Sequence, residues 1–233
     1  MKHAIAIFKK QLKDTLKNKA VLIQFIMFPI MTLIMNNAIQ LNDLPPNFFV
    51  LLFAAMYIGM APLTSIAAII AEEKEQNTLR VLFLSNVRPS SYLVGTGSYV
   101  WLCCLLGSIV ICLAGSYDLK ERILFMVVMS VGIFASLLLG AAIGTFSQTQ
   151  MMSTSLTVPI MIFFSFLPML SLFNDTVAKF AKYTYSEQIR LALSEIDNPQ
   201  ILGERFFILI ANILLFTGLF VVAYRRSFLC GND

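Results

Sequence analysis

The sequence predicts an all-α polytopic membrane protein with six transmembrane helices, an N-terminal amphipathic interfacial helix and short external helices between spans five and six. Of its 233 residues, 58% are hydrophobic and only 13% are charged, whereas soluble domains carry about 25% charged residues. The apolar residues form six runs long enough to cross a bilayer as helices, and none of the six contains Asp, Glu, Lys, Arg or His. This pattern excludes a soluble enzyme, a disordered tail and a secreted disulfide scaffold.

Residues 1–19 combine six lysines with one apolar helical face. Ile5, Phe8, Leu12 and Leu16 recur at steps of three and four, which is the spacing of an amphipathic helix. A helix of this kind lies in the headgroup layer, with its apolar face inward and its lysines near anionic lipid. We therefore predict a membrane-surface anchor on the cytoplasmic side, with which a docking role for a partner protein is compatible.

The six predicted spans belong to a transmembrane domain at residues 20–233. They lie near residues 20–39, 48–71, 92–114, 123–146, 154–173 and 206–224. An even number of spans puts both termini on one side, which then carries eleven Lys and Arg residues against six on the other. By the positive-inside rule, both termini are predicted to be cytoplasmic in a multi-pass protein of the cell membrane. The net charge of +4 follows this topology, so no nucleic-acid partner is predicted.

Motifs for catalysis and nucleotide binding are missing from the sequence. There is no G-x-x-x-x-G-K-[ST] phosphate loop, no H-E-x-x-H and no G-x-S-x-G. The sole histidine is His3, and the four cysteines lack the spacing of metal ligands. We therefore predict a chain that is not an enzyme and has no catalytic residue, cofactor or metal of its own. Proton-coupled transport is also disfavoured, because the spans carry no ionisable residue.

Uncharged polar residues do occur in the spans, among them Gln24, Asn36 and Asn37 in the first. Such side chains usually form hydrogen bonds with a neighbouring helix, and this structural role is the default interpretation. The sharper alternative is that they line a translocation path, for which these three residues of one helix are the best candidates.

The fourth span carries small residues four positions apart, namely Ser136, Gly140 and Gly144. This spacing places them on one face of a helix, where small residues let another helix approach closely. We expect this face to serve packing and not chemistry.

The loop at residues 72–91 follows the second span on the predicted cytoplasmic side. It opens with acidic residues, and Leu79, Leu82 and Phe83 then share one helical face before Pro89. A short amphipathic helix here can rest on lipid or fill a groove on a cytoplasmic partner, and the residues alone do not decide between the two.

The predicted external segment at residues 174–205 contains two short helical patterns separated near Thr184. Val177, Phe180 and Ala181 belong to the first, and both are too short to span a bilayer. We expect these helices to lie on or dip into the outer leaflet, where they would close the mouth of a path or contact a substrate.

The order of these elements resembles the transmembrane subunit of type-2 ATP-binding-cassette (ABC) exporters over essentially the whole chain. That family exports drugs, antibiotic peptides, haem and polysaccharides, and its loop after span two has a Glu, a Gly-Thr-Leu-Glu element, an apolar run and a Pro-Ser-like close. The matching residues here are Glu73, Thr78, Leu79, Leu82, Pro89 and Ser90. Asn77 stands where Gly is usual in the family, and Arg80 stands where Glu is usual.

The resemblance implies that residues 72–91 form a coupling loop that docks onto a nucleotide-binding subunit. Its ATPase-coupling residues would be Glu72, Glu73, Thr78, Leu79, Leu82 and Phe83. The N-terminal helix would be the connecting helix packed beside this loop. ATP and Mg would be bound by a separate cytoplasmic ABC ATPase subunit, and a second copy or a related permease, surrounded by membrane lipids, would complete the path.

We therefore expect the permease subunit of an ABC exporter that moves an amphiphilic, lipid-like, drug or antibiotic-peptide substrate outward. The alternative is an ATP-independent channel or secondary carrier. An intramembrane enzyme is least favoured, because the residues that such chemistry needs are missing.

Overall fold

The computed structural model describes residues 2–17, 19–38, 45, 47–85, 87–196 and 202–228. All regular structure within these residues is helical, and no β-strand occurs among them, which confirms the predicted all-α class. The ten helices are α1 (Lys2–Lys17), α2 (Lys19–Ala38), α3 (Phe48–Glu75), α4 (Thr78–Leu84), α5 (Pro89–Ala114), α6 (Leu119–Phe146), α7 (Gln150–Ser171), α8 (Asp175–Ala181), α9 (Tyr185–Ser194) and α10 (Leu202–Phe228).

Five of the described helices are long and apolar enough to cross a membrane. They are α3, α5, α6, α7 and the Arg205–Arg226 part of α10. Helix α2 contributes a shorter apolar stretch, Leu22–Ala38. At a rise of about 1.5 Å per residue this stretch covers about 25 Å of a hydrocarbon core that is about 30 Å thick. The sixth predicted span therefore stays a prediction.

Helix α3 lies at the centre of the bundle, where it packs against α2, α5, α6, α7 and α9. Its apolar residues are buried on every side, as expected for a helix that is hydrophobic all round. The largest fully buried side chains include Tyr57, Ile58, Leu63 and Ile70 of this helix. The outer helices α7 and α10 instead expose most of their apolar residues, which in a membrane protein face lipid.

Glycines bring α3 into direct backbone contact with the helices on either side. A Cβ built at Gly140 of α6 would lie 2.4 Å from the carbonyl oxygen of Leu63, and one at Gly144 would lie 2.9 Å from that of Ala67. A Cβ at Gly59 of α3 would lie 2.8 Å from the backbone nitrogen of Ser165 in α7. The close helix contact predicted from the small residues of the fourth span is therefore confirmed.

Helices α8 and α9 occupy the stretch where two short helical patterns were predicted, and α9 begins directly after Thr184. Helix α9 does not lie on the surface of the bundle. It is inserted among α3, α6, α7 and α10, and most of its residues are fully buried. The Tyr185 hydroxyl donates a hydrogen bond to Ser136 Oγ of α6 at 3.2 Å. Helix α9 thus fills the space between these four helices at one end of the bundle.

The opposite end of the bundle, called here the α4 end, gathers the termini of several helices. The Lys74 ammonium group at the end of α3 donates to the carbonyl oxygen of Thr145 at 2.6 Å. The backbone N–H of Gln150, which opens α7, donates to Glu75 Oε2 at 2.7 Å. The guanidinium of Arg226 near the end of α10 lies 5.7 Å from the Phe146 ring centroid. These contacts place the end of α3, from which the chain continues into α4, beside the α6–α7 turn, and they place the end of α6 near the last turns of α10.

Candidate functional site

Helix α1 packs across the first turns of α5 at the α4 end. A Cβ at Gly95 would lie 2.8 Å from the carbonyl oxygen of Ala4, so only a glycine lets the two helices approach this closely. The rings of Phe8 and Tyr99 meet edge to face with centroids 5.6 Å apart. One side of α1 is therefore packed against α5 and is not available to lipid.

The apolar residues of α1 fall on two sides of the helix. Ile7 is buried against the bundle, whereas Ile5 and Leu12 are 56% and 44% exposed. Phe8 is half-buried, and the side chain of Leu16 lies outside the described residues. The exposed pair belongs to the face that the sequence assigns to lipid, while Ile7 fixes the helix to its own chain.

Glu73 forms a polar contact between α3 and α1 inside the protein. Its carboxylate is 6% exposed. Its Oε1 atom accepts hydrogen bonds from Gln11 Nε2 at 2.8 Å and from the Lys10 ammonium group. The buried Tyr92 hydroxyl of α5 lies beside the same carboxylate. Since a buried carboxylate is stable only with such donors, this cluster links α1, α3 and α5 at one point.

A sharp turn at Asn77 separates α3 from α4. The φ angle of Asn77 is 57°, in the left-handed region that glycine adopts freely and that Asn tolerates better than most other residues. The Thr78 hydroxyl then donates to the carbonyl oxygen of Glu73 at 3.0 Å. This geometry explains why Asn can occupy the position where the resembling exporters usually have Gly.

Helix α4 turns its predicted anchor residues toward its own chain. Leu79 is 3% exposed and belongs to the hydrophobic core, and Leu82 is partly buried against that core. The side chain of Phe83 lies outside the described residues. In this conformation Leu79 has almost no exposed surface, and it packs α4 against its own chain.

The outward side of α4 carries a different set of residues. Val81 is 61% exposed and Leu84 is 80% exposed, and Arg80 between the buried positions is exposed as well. Met151, one residue after the Gln150 that bonds to Glu75, is 83% exposed at the same end. We call Arg80, Val81, Leu84 and Met151 the α4 surface.

Of the remaining predicted coupling residues, Glu72 lies in the last turn of α3. It is partly exposed, and its Oε1 atom accepts from Gln76 Nε2 one turn later at 3.2 Å. Sequence reasoning missed Val81, Leu84 and Met151. The signal for Val81 and Leu84 was that apolar residues continue on the side of α4 opposite Leu79 and Leu82, whereas Met151 belongs to α7 and had no such signal.

Gln24 belongs to a cluster of uncharged polar groups between α2, α3 and α7. Its side-chain oxygen accepts hydrogen bonds from Thr64 Oγ1 at 3.0 Å and from Ser65 Oγ at 3.1 Å. Gln24, Thr64, Thr154 and Thr157 line a cavity of about 160 Å³ at this place. Its lining mixes uncharged polar residues with apolar ones and contains no charged residue, so the cavity suits an amphiphilic ligand with uncharged polar groups.

Asn36 and Asn37 lie about three turns further along α2, and the structure does not bring them to Gln24. Asn36 Nδ2 donates to the carbonyl oxygen of Ala114 at 2.7 Å, which satisfies the C-terminus of α5. Asn37 Nδ2 donates to the carbonyl oxygen of Leu33 in its own helix at 2.8 Å. These bonds correspond to the structural interpretation of both residues.

An ion pair inside the bundle was not predicted from the sequence. Glu187 of α9 is 3% exposed and accepts from Arg190 through both carboxylate oxygens, at 2.6 and 2.9 Å. Ser171 Oγ of α7 donates to the same carboxylate at 3.0 Å. The spacing of three residues on a helix was the available signal for the pair, but burial of α9 among the spans could not be read from the sequence.

No group of His, Cys, Asp and Glu residues within the described part of the chain has the geometry of a metal site. Five helices that are long and apolar enough to cross a membrane, with α3 at their centre, define a polytopic membrane protein. The chain matches the family described as ABC-2 family transporter protein over residues 2–223, and it belongs to that family. Members are membrane permease components that pair with an ABC ATPase subunit. Among curated proteins, no relative of the chain is found.

Proposed function

We propose that this protein is the permease subunit of an ABC exporter, which moves an amphiphilic or lipid-like substrate outward with ATP hydrolysed by a separate subunit. The observation that carries the proposal is membership of the ABC-2 family over residues 2–223. ATP and Mg bind to the partner ATPase in this proposal, since the sequence has no phosphate loop. A second copy or a related permease completes the transport path.

The proposed orientation puts the α4 end in the cytoplasm of a cell-membrane protein. The support comes from the sequence, where the loops and tails of this end carry most of the Lys and Arg residues. Helix α1 then lies at the cytoplasmic membrane surface as the connecting helix. Ile5 and Leu12 face lipid in this arrangement, because they are the apolar residues that α1 leaves exposed. With α2 as the sixth span, both termini are cytoplasmic.

Coupling to the ATPase is proposed to run through the α4 surface. Val81 and Leu84 are exposed apolar side chains that lie outside the membrane in the proposed orientation, and such residues typically fill a cleft on a partner. The predicted contacts Glu73, Thr78 and Leu79 act behind this surface, since their side chains bond or pack within the chain. A movement of α4 that the ATPase causes is therefore transmitted to α3 through Leu79 and to α1 through Glu73.

Replacement of Leu84 by aspartate tests this coupling surface. We expect the L84D variant to reach the membrane but to lose at least about tenfold of its affinity for a co-expressed ABC ATPase, because a charge replaces an apolar anchor. The measurement is ATPase recovered with the tagged permease after detergent extraction, together with ATP-driven export in vesicles.

Leu119 provides a matched control for Leu84. It is also a terminal leucine of a helix and is 71% exposed, but it opens α6 at the opposite end of the bundle. The Leu119→Asp variant should retain the ATPase. Equal retention by both variants would contradict docking at α4, and substrate flux through the permease alone without ATP would favour the channel or carrier alternative.

The transport path is proposed to pass the polar cavity at Gln24, and not the two asparagines first grouped with it. Replacing Gln24 by leucine removes the acceptor shared by Thr64 and Ser65. For the Gln24→Leu variant we expect the transport rate per folded molecule to change several-fold, whereas its melting temperature should change little. Asn36→Leu is the contrasting variant, since it removes the bond to Ala114 and should lower the melting temperature instead. A stability loss with normal transport in the Gln24 variant would restore the structural interpretation.

A further inference from the structure

A cleft runs along the outer side of α6 between α5 and α10. Helices α5 and α10 each pack along α6, but among the described residues they do not pack along each other. The part of the cleft nearer the α4 end encloses about 430 Å³, and a second part of about 360 Å³ adjoins it at Trp101 and Phe134, which line both. Each volume lies within the range of about 300–1,000 Å³ found for ligand sites.

The lining of the cleft near the α4 end is almost entirely apolar. The polar side-chain groups there are the Trp101 indole N–H and the Ser98 hydroxyl, and the hydroxyl already donates to the carbonyl oxygen of Val94 in its own helix. Gly97 leaves space that a side chain would fill, since a Cβ built there meets nothing within 4 Å. An occupant of this part therefore needs to offer hydrocarbon and no hydrogen-bonding group.

Basic residues lie at the α4 end of the two helices that form the walls of this cleft. Arg88 directly precedes α5, and Arg225 and Arg226 lie in the last turns of α10, five and six residues after Phe220, which lines the cleft. At about 1.5 Å per residue these arginines are within about 10 Å of the lining along the helix axes. The side chains of Arg88 and Arg225 form no hydrogen bond or ion pair within the described part of the chain.

We propose that this cleft binds a membrane phospholipid with an anionic headgroup. One acyl chain lies between α5 and α10 against Trp101, and the phosphate lies near Arg88, Arg225 and Arg226. An apolar slot with cations near one end matches the two parts of such a lipid, and basic pockets between transmembrane helices bind anionic headgroups. On the proposed orientation this end faces the cytoplasmic leaflet, where anionic lipids concentrate.

A helix from a second copy fits the cleft less well. Helix interfaces in membranes favour small residues that let backbones approach, whereas the walls here carry the bulky rings of Trp101, Phe134 and Phe220. The lipid proposal does not depend on export or on ATP, so its test is independent of the proposed function.

Trp101 gives a direct test, because it is the only tryptophan of the chain. The full chain is reconstituted in phosphatidylcholine vesicles, into which phosphatidylglycerol or phosphatidylcholine brominated in the middle of its acyl chains is titrated. Bromine quenches tryptophan fluorescence on contact, so the titration reports which lipid occupies the cleft. Since each basic side chain contributes about fivefold in affinity for anionic lipid, we expect phosphatidylglycerol to be preferred by at least that factor.

Four variants distinguish specific binding in the cleft from general attraction of anionic lipid to a basic protein. Arg225→Gln with Arg226→Gln should lower the preference by about fivefold for each arginine, whereas the two lysine replacements should retain it. Gly97→Leu should fill the cleft and weaken quenching by either lipid. Gly218→Leu is its matched control, since a Cβ at Gly218 of α10 also meets nothing within 4 Å.

Each outcome of the titration decides the proposal. Equal quenching of the unaltered protein by the two brominated lipids would overturn it. An undiminished preference in the double glutamine variant, or equal quenching in the Gly97→Leu and Gly218→Leu variants, would overturn it as well. Loss of preference with the glutamines, its retention with the lysines and loss of quenching only with Gly97→Leu would support it.

Discussion

Replacement of Gly140 by leucine is expected to separate α6 from α3 and to lower stability more than any other single change considered for this bundle. The new Cβ would lie 2.4 Å from the Leu63 carbonyl oxygen and 2.6 Å from Ile66 Cγ2. Over-packing of a core typically costs about 1–3 kcal/mol, and the cost here lies at or above that range because the obstacle is backbone, which cannot move aside like a side chain.

The measurement is the apparent melting temperature of the detergent-purified chain, followed by fluorescence-detected size exclusion after heating. A loss of about 3 kcal/mol corresponds to a decrease of about 6–12 °C for a chain of this size. Gly218→Leu is the control, since it adds the same side chain to a helical glycine with open space around it. Equal melting temperatures of the two variants would mean that α3 and α6 do not approach as closely as Gly140 requires.

The position of Gly140 illustrates how far the sequence could predict the packing. The spacing of Ser136, Gly140 and Gly144 identifies a face for close contact, because four residues return a helix to the same side. The partner of that face could not be predicted, since every span is apolar and periodicity does not distinguish one neighbour from another. The structure identifies α3 as the partner, with its backbone at Leu63 and Ala67 against the two glycines.

Helix α9 shows the same limit for burial. The sequence predicts a short helix after Thr184, and α9 begins at Tyr185. Its charged residues suggest a surface position, because Glu and Arg are seldom buried unless they are paired. The ion pair between Glu187 and Arg190 lets both residues be buried. Whether the two side chains pair depends on their geometry in the fold, which the composition does not show.

The structure places the predicted coupling residues Leu79 and Leu82 on the side of α4 that faces the core of their own chain. The spacing of Leu79 and Leu82 correctly identifies one apolar face of α4. Whether that face meets a partner or the chain itself depends on the turn at Asn77, whose left-handed backbone folds α4 back onto the bundle. The exposed residues Val81 and Leu84 on the other side therefore became the better candidates for a partner contact.

The contact between Lys10 and Glu73 leads to the second large expected effect. Lys10→Met removes the cation and leaves the buried carboxylate with Gln11 as its remaining donor in α1. Breaking a buried ion pair typically costs about 3–5 kcal/mol, and we expect about 2 kcal/mol here because the partly exposed Lys10 side chain is only partly desolvated. Undocking of α1 should become more frequent by about 30-fold, which backbone amide exchange at residues 2–17 measures.

The reverse replacement should be milder, which makes the pair suited to a double-mutant cycle. Glu73→Gln keeps an oxygen that can accept from Gln11, and it leaves a lysine that is already partly in water. Lys10→Met combined with Glu73→Gln should therefore recover most of the amide protection lost with Lys10→Met alone. If α1 and α3 transmit the movement of α4, ATP-driven export should recover in parallel. Protection that recovers without export would assign the Glu73 cluster to folding alone, and additive losses in the double variant would contradict a direct interaction between the two side chains.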